Sequence, residues 1–259
     1  MGGFRILVAD YQPIFRFGLS SLLGSHENWE VCGEATDGRD AVEKCRQLRP
    51  DLLILDICLP QLNGVDVARQ ILKHNPAQAI LILTAVDSEQ VIRDCLEAGV
   101  RGWVFKSDGA EDLTTAVEAL QRRKSIFSSR VSDLIMDGYK RHRVVPNAAK
   151  VPKLSPRERE VVQLVSEGKA SKEVAAILNM TLATAETHRS NILRKLKLHS
   201  IAELVLYAVK NEIIHVQFPA VLRFPKPRKE PNRARANSAS VALSRAGNGR
   251  TDEVRQSWN

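Results

Sequence analysis

Over the first half of the chain, short apolar runs alternate with segments of helical periodicity. Ile6–Ala9 precedes Ile14–Leu23, Glu30–Gly33 precedes Gly38–Leu48, and Leu52–Leu55 precedes Val65–Lys73. The alternation continues with Ala79–Thr84 before Ser88–Ala98, and Gly102–Phe105 before Glu111–Arg122. Five such β-α units predict a doubly wound domain with a parallel sheet. The runs are apolar on both faces, as suits strands covered by helices on each side. From Leu154 the periodicity is purely helical. Ser155 is placed to cap a helix that Pro156 opens and Gly168 ends, with Val161, Val162, Leu164 and Val165 as its buried stripe. Further helices are expected over Ser171–Leu178, from Leu182 or Ala183 to Leu196, and over Ile201–Lys210, and the tight Asn179-Met180-Thr181 connection makes the second and third a helix-turn-helix unit. Between the two halves, an amphipathic stretch, Val131–Met136, leads into a basic linker through Lys140-Arg141-His142-Arg143 and Pro146–Pro152. Residues 217–259 lack periodicity and are rich in Pro, Arg, Ser, Ala and Asn, so they are expected to be disordered.

Charge sharpens this division. Residues 1–139 carry a net charge of −5, residues 140–216 +7 and residues 217–259 +6, which points to nucleic-acid binding by the second half. The tail's charge could add nonspecific attraction to phosphates. No apolar stretch approaches the roughly 20 residues that span a bilayer, and the N-terminus lacks the order of a signal peptide. A cytoplasmic protein without membrane association is therefore expected. Cys32, Cys45, Cys58 and Cys95 form no C-x-x-C pair, so they are expected to be buried thiols in a reducing compartment.

Chemistry in a parallel sheet gathers beyond the C-terminal ends of its strands. Asp10, Asp56, Thr84 and Lys106 close four of the predicted strands, which brings two carboxylates, a hydroxyl and an ammonium to one edge. With these residues go Ile6-Leu7-Val8-Ala9-Asp10, Asp51–Asp56 followed by Leu59-Pro60 and Asn63-Gly64, Leu83-Thr84-Ala85, and Gly99–Lys106. In these segments the chain resembles the receiver domains of bacterial two-component response regulators.

The resemblance implies a flavodoxin-like (βα)5 receiver domain over residues 4–122, with strand order 2-1-3-4-5. It implies that Asp56 accepts a phosphoryl group from a sensor histidine kinase, carboxylates being recognised nucleophiles. It also implies Mg²⁺ held by Asp10, Asp56 and the backbone carbonyl of Cys58. Lys106 would pair with a phosphoryl oxygen, Thr84 would donate to the phosphate, and Trp103 stands at the family's switch aromatic. The chain departs from the family where a second acidic residue normally follows Asp10, for it has Tyr11. A phenol with a pKa of about 10 is neutral near pH 7, so weaker Mg²⁺ binding and poor charging of Asp56 are expected.

After a linker at 123–152, residues 153–216 resemble the all-α, four-helix LuxR-type helix-turn-helix domain of the NarL/FixJ subfamily. The resemblance rests on Leu154–Glu160, Glu167-Gly168, Lys172–Ala175, Thr184, Thr187–Ile192 and Arg194-Lys195-Leu196. A turn of 100° per residue along the third helix puts Ala185, His188, Arg189, Ile192 and Leu196 inward. Ala183, Thr187, Ser190 and Arg194 then point outward, flanked by Thr184, Glu186 and Asn191, as a stripe for the major groove of double-stranded DNA. Lys172 and Lys195 are expected phosphate contacts. Where the subfamily often has Lys near position 183 and a branched apolar residue at 185, this chain has Ala at both. The resemblance assigns Ile201, Leu204, Val205 and Ala208 of the fourth helix to a homodimer.

Together these features predict a DNA-binding transcriptional regulator in which phosphorylation of Asp56 controls dimerisation and DNA binding. A phosphate-independent regulator marked by Tyr11 and a protein-interaction adaptor with weak DNA binding are the alternatives. Outside the acid pocket no nucleophile, metal or cofactor constellation is legible, which argues against an enzyme with its own substrate.

Overall fold

The computed structural model describes residues 3–129, 131–133, 136 and 154–215. The basic linker beyond residue 136 and the tail at 217–259 lie outside the described residues. Each apolar run forms a strand: β1 Phe4–Ala9, β2 Trp29–Ala35, β3 Leu52–Leu55, β4 Ala79–Thr84 and β5 Gly102–Phe105. Helices α1 Pro13–Gly24, α2 Gly38–Leu48, α3 Gly64–His74, α4 Glu89–Ala98 and α5 Ala110–Gln121 alternate with them. The strands are parallel, in the order β2-β1-β3-β4-β5-β6. The added strand is β6, Ile126–Phe127, beside β5.

β3 and β4 are buried along their whole length, because each face of the sheet carries its own apolar layer. On one face Leu7, Leu53, Ile80, Ile82 and Trp103 pack with Ala41, Val67, Ile71 and Ile92 from α2, α3 and α4. On the other, Ile6, Val8, Ile54, Leu81 and Val104 pack with Leu19, Leu23, Leu113 and Val117 from α1 and α5. Val131 belongs to the first layer and is fully buried. Ile126, Phe127 and Val131, placed in the linker by the sequence pattern, thus contribute to the sheet and its core. Their run is too short to produce a periodicity of its own.

The second half forms α6 Pro156–Ser166, α7 Ser171–Ile177, α8 Leu182–Leu196 and α9 Ile201–Lys210. Ser155 caps α6 in a reciprocal pairing with Glu158, and Thr181 caps α8 by accepting from the Thr184 N–H. Asn179 adopts φ 50° in the turn between α7 and α8, a left-handed conformation that asparagine tolerates better than most residues. Val161, Val162, Leu164, Val174, Ala175, Leu178, Ala185, Ile192, Leu204 and Ala208 make the core of this unit. Cys45 and Cys95 are buried, and Cys32 and Cys58 are half-buried. Burial pushes the Cys45 thiol up to about 11, with Cys32 adding to the shift. Among the described residues no helix is long and apolar enough to cross a membrane.

Candidate functional site

Strand register assembles the acid pocket. Ala9 pairs with Leu55 and Thr84 with Phe105, so the residues just past β1, β3 and β5 emerge at one edge with Thr84, which ends β4. Two hydrogen bonds carry the ladder beyond the strands, from Asp56 N–H to the Ala9 carbonyl at 2.9 Å and from Lys106 N–H to the Thr84 carbonyl at 2.8 Å. Asp10 and Asp56 are both almost wholly buried, and the Lys106 ammonium joins them, 2.5 Å from Asp10 and 3.0 Å from Asp56. That ammonium also lies 4.4 Å over the Phe15 ring, a favourable cation–π geometry.

Burial raises the Asp10 carboxyl, and the Asp56 charge pushes the same way; the hydrogen bond from Lys106 opposes both. For Lys106, burial works against the ammonium, but the two carboxylates outweigh it and its pKa is raised. Asp56 Oδ1 is buried and has no hydrogen-bond partner among the described residues. A desolvated carboxylate oxygen of this kind is an open acceptor for a cation or for a forming bond. The Thr84 hydroxyl accepts from the Val86 N–H at 3.1 Å. Trp103 is fully buried in the core beneath α3 and α4, edge-on to Phe105 with ring centroids 6.0 Å apart. The Tyr11 hydroxyl accepts from Gln12 Nε2 at 3.0 Å.

Close packing fixes the Asp56 loop. A Cβ on Gly64 would sit 2.3 Å from the Asp56 carbonyl oxygen, so only glycine lets α3 begin this close to the acid. Gly64→Ala is expected to cost about 1–3 kcal/mol through overpacking, read as a lower urea midpoint. A cost below about 0.5 kcal/mol would show that the loop yields without strain.

The predicted DNA-reading stripe stands clear on α8. Ala183, Thr184, Glu186, Thr187, Ser190, Asn191 and Arg194 are exposed, while Ala185 and Ile192 are buried. Arg194 donates to Asn191 Oδ1 at 2.8 Å, which ties the two side chains together. Lys172 is exposed, but Lys195 is half-buried with its ammonium 2.7 Å from Glu158. On α9 the residues assigned to dimerisation divide by burial. Leu204 and Ala208 are wholly buried against the helical core, and Ile201 and Val205 are half-buried. The apolar residues that α9 exposes are Leu206 and Val209.

The contacts that join the two halves were not anticipated from the sequence pattern. Gln163 on α6 is almost wholly buried; it accepts from the Asn63 N–H at 2.8 Å and donates to the Leu59 carbonyl at 3.1 Å. Glu160 takes ion pairs from Arg39 at 2.7 Å and Arg157 at 2.9 Å, and Arg159 pairs with Asp66 at 3.1 Å. The available signal was polar residues set within the apolar stripe of α6.

Two family matches coincide with the two halves. Residues 6–118 match the response regulator receiver domain, and residues 152–208 match the bacterial regulatory proteins of the luxR family. The response regulator protein VraR of Staphylococcus aureus is 31% identical over 210 residues, 81% of this chain and 98% of VraR. The chain belongs to the LuxR-family response regulators. A solved LuxR-family response regulator from Aurantimonas sp. SI85-9A1 is similar to this regulator at 29% identity and a TM-score of 0.51, covering 54% of this chain and 99% of that one. RcsB from Salmonella enterica serovar Typhimurium, solved bound to promoter rprA in the presence of the phosphomimetic BeF3−, is similar at 26% identity and a TM-score of 0.50, covering 80% of this chain and 98% of RcsB. Receiver domains generally bind Mg²⁺ and interact with histidine kinases. This regulator thus joins a receiver to a LuxR-type DNA-binding domain.

Proposed function

We propose that this regulator accepts a phosphoryl group on Asp56 from a histidine kinase, and that the modification promotes dimerisation and tighter sequence-specific DNA binding. The observation that carries this is the buried Asp56 carboxylate with one oxygen open and the other against Lys106. An Asp56 oxygen forms the new O–P bond as the P–N bond to the kinase histidine breaks, and the histidine nitrogen keeps the electron pair. Lys106 stays beside the acceptor to pair with a phosphoryl oxygen, and rotation of Thr84, whose hydroxyl oxygen now accepts from the Val86 N–H, brings that hydroxyl to where it donates to the phosphate. The carboxylates of Asp10 and Asp56 and the Cys58 carbonyl would hold Mg²⁺, which when bound offsets the negative charge of the phosphoryl oxygens. Two carboxylates and a carbonyl suit an ion that keeps several of its waters.

Tyr11 weakens that site, for it supplies a phenol where the family supplies a carboxylate. Tyr11→Asp is expected to lower the Mg²⁺ concentration for half-maximal labelling of Asp56 on the order of tenfold. Labelling with a small acyl phosphate across a Mg²⁺ titration checks this, and an unchanged midpoint would clear Tyr11 of the effect.

The outward stripe of α8 reads DNA: Asn191 and Arg194 suit adenine and guanine edges, and Thr184, Thr187 and Ser190 suit edges or phosphates. Ala183 and Glu186 lie on the same face, and Lys172 suits a phosphate. Because α8 is already exposed, phosphorylation tightens binding by pairing two chains on two half-sites, with Ile201, Val205, Leu206 and Val209 as the available apolar surface of α9. A phosphate-independent regulator is the second reading, favoured by Tyr11 and by the same exposure of α8.

A further inference from the structure

Among the described residues, hydrogen bonds and ion pairs run to the receiver from α6, from Glu167 just beyond it and from the turn after α9. Gln163 accepts from Asn63 and donates to Leu59, as described above, on the loop that follows Asp56. The same loop is held at a second point, where Gln61 N–H donates to Glu167 at 3.1 Å. Beyond α9, the Ile213 carbonyl accepts from Asn63 Nδ2 at 3.3 Å, and Glu212 accepts from Ser88 Oγ at 2.6 Å. Ser88 caps α4, four residues past Thr84. His215 follows, within electrostatic reach of both Asp56 and Glu212. Glu212 Oε2 and His215 Nε2, like Asp56 Oδ1, are buried without a hydrogen-bond partner among the described residues. The turn at 212–215 therefore bonds to both loops that flank the acid pocket and brings a further carboxylate, that of Glu212, to its surroundings.

We propose that the helical unit gates the receiver: α6 and the turn Glu212–His215 hold the loops around Asp56 shut, so phosphotransfer requires their release, while the DNA-reading face of α8 stays free throughout. This deepens the phosphorylation of Asp56 proposed above and rests on it for its consequence. A phosphoryl group brings about −1.5 to −2 charge toward the unpaired Glu212 oxygen, and loops tied to Gln163, Glu167 and Ile213 are not free to rearrange around it. Linkage then runs both ways: release of the turn speeds phosphorylation, and phosphorylation favours release.

The test compares the full chain with Gln163→Ala and with Glu212→Ala, the latter at a half-buried side chain in the turn after α9. Three readouts are followed: Asp56 labelling by a small acyl phosphate with Mg²⁺, site-resolved alkylation of Cys58 by iodoacetamide, and affinity of unphosphorylated protein for a DNA duplex selected from a random pool. Both variants are expected to label and to alkylate at least about fivefold faster, with DNA affinity changed less than twofold. If no chain labels but Cys58 alkylation accelerates in both variants, the gate stands and phosphorylation of Asp56 falls. Cys58 alkylation at the parental rate in both variants overturns the gate, as does a larger change in DNA affinity.

Discussion

Lys106→Met is expected to cost the receiver about 3–5 kcal/mol, because it leaves two buried carboxylates facing each other without their cation. The side chains of Asp10, Asp56 and Lys106 are only 3%, 1% and 9% exposed, so water screens the three charges little. The lysine is the common partner: its ammonium lies within 3.0 Å of each acid, whereas the acids repel one another and raise Asp10 beyond the effect of burial. Urea unfolding at neutral pH measures the loss. The double variant Lys106→Met with Asp56→Asn should recover most of it, since one carboxylate then remains where there were two. A loss below about 1 kcal/mol would mean that the pocket admits water enough to hold both charges unpaired.

Asp56→Asn is expected to abolish labelling by any phosphodonor while leaving the fold intact. An amide of the same shape keeps the packing of β3 but carries no nucleophilic carboxylate oxygen. It also removes one of two like charges, so the urea midpoint should hold or rise. Phosphate analysis of intact protein under acid-stable conditions checks this directly. Labelling that persists would move the acceptor to another carboxylate, with Asp10 the first to examine.

Most of the receiver was legible because its strands are apolar on both faces, a pattern that a half-exposed segment does not imitate. The convergence of Asp10, Asp56, Thr84 and Lys106 followed from strand ends alone, since a parallel sheet carries the ends of its strands to one edge. What periodicity could not supply was the choice between two apolar stripes on α9. Leu204 and Ala208 repeat at the same spacing whether they face their own core or a partner, and the packing of α6 against α9 decides for the core. Strand β6 escaped notice because two residues carry no period. Gln163 and Glu160 were hidden for a related reason: their partners, Asn63, Leu59, Arg39 and Gln70, lie 90 to 121 residues away in the chain, and nothing local distinguishes a polar residue that will be buried between domains from one that meets solvent. Trp103 was legible as a position in the family pattern, but its complete burial depends on α3 and α4 closing over β5.

The central claim is that phosphorylation of Asp56 strengthens sequence-specific DNA binding by α8. The most direct measurement is selection from a randomised duplex pool by the purified full chain, with and without a small acyl phosphate and Mg²⁺. Enrichment of one sequence with two half-sites about one helical turn apart, bound more tightly in the presence of the donor, is the predicted result. Specific binding that ignores the donor would contradict control by phosphorylation, and failure to enrich any sequence would contradict the DNA-reading role of α8 itself.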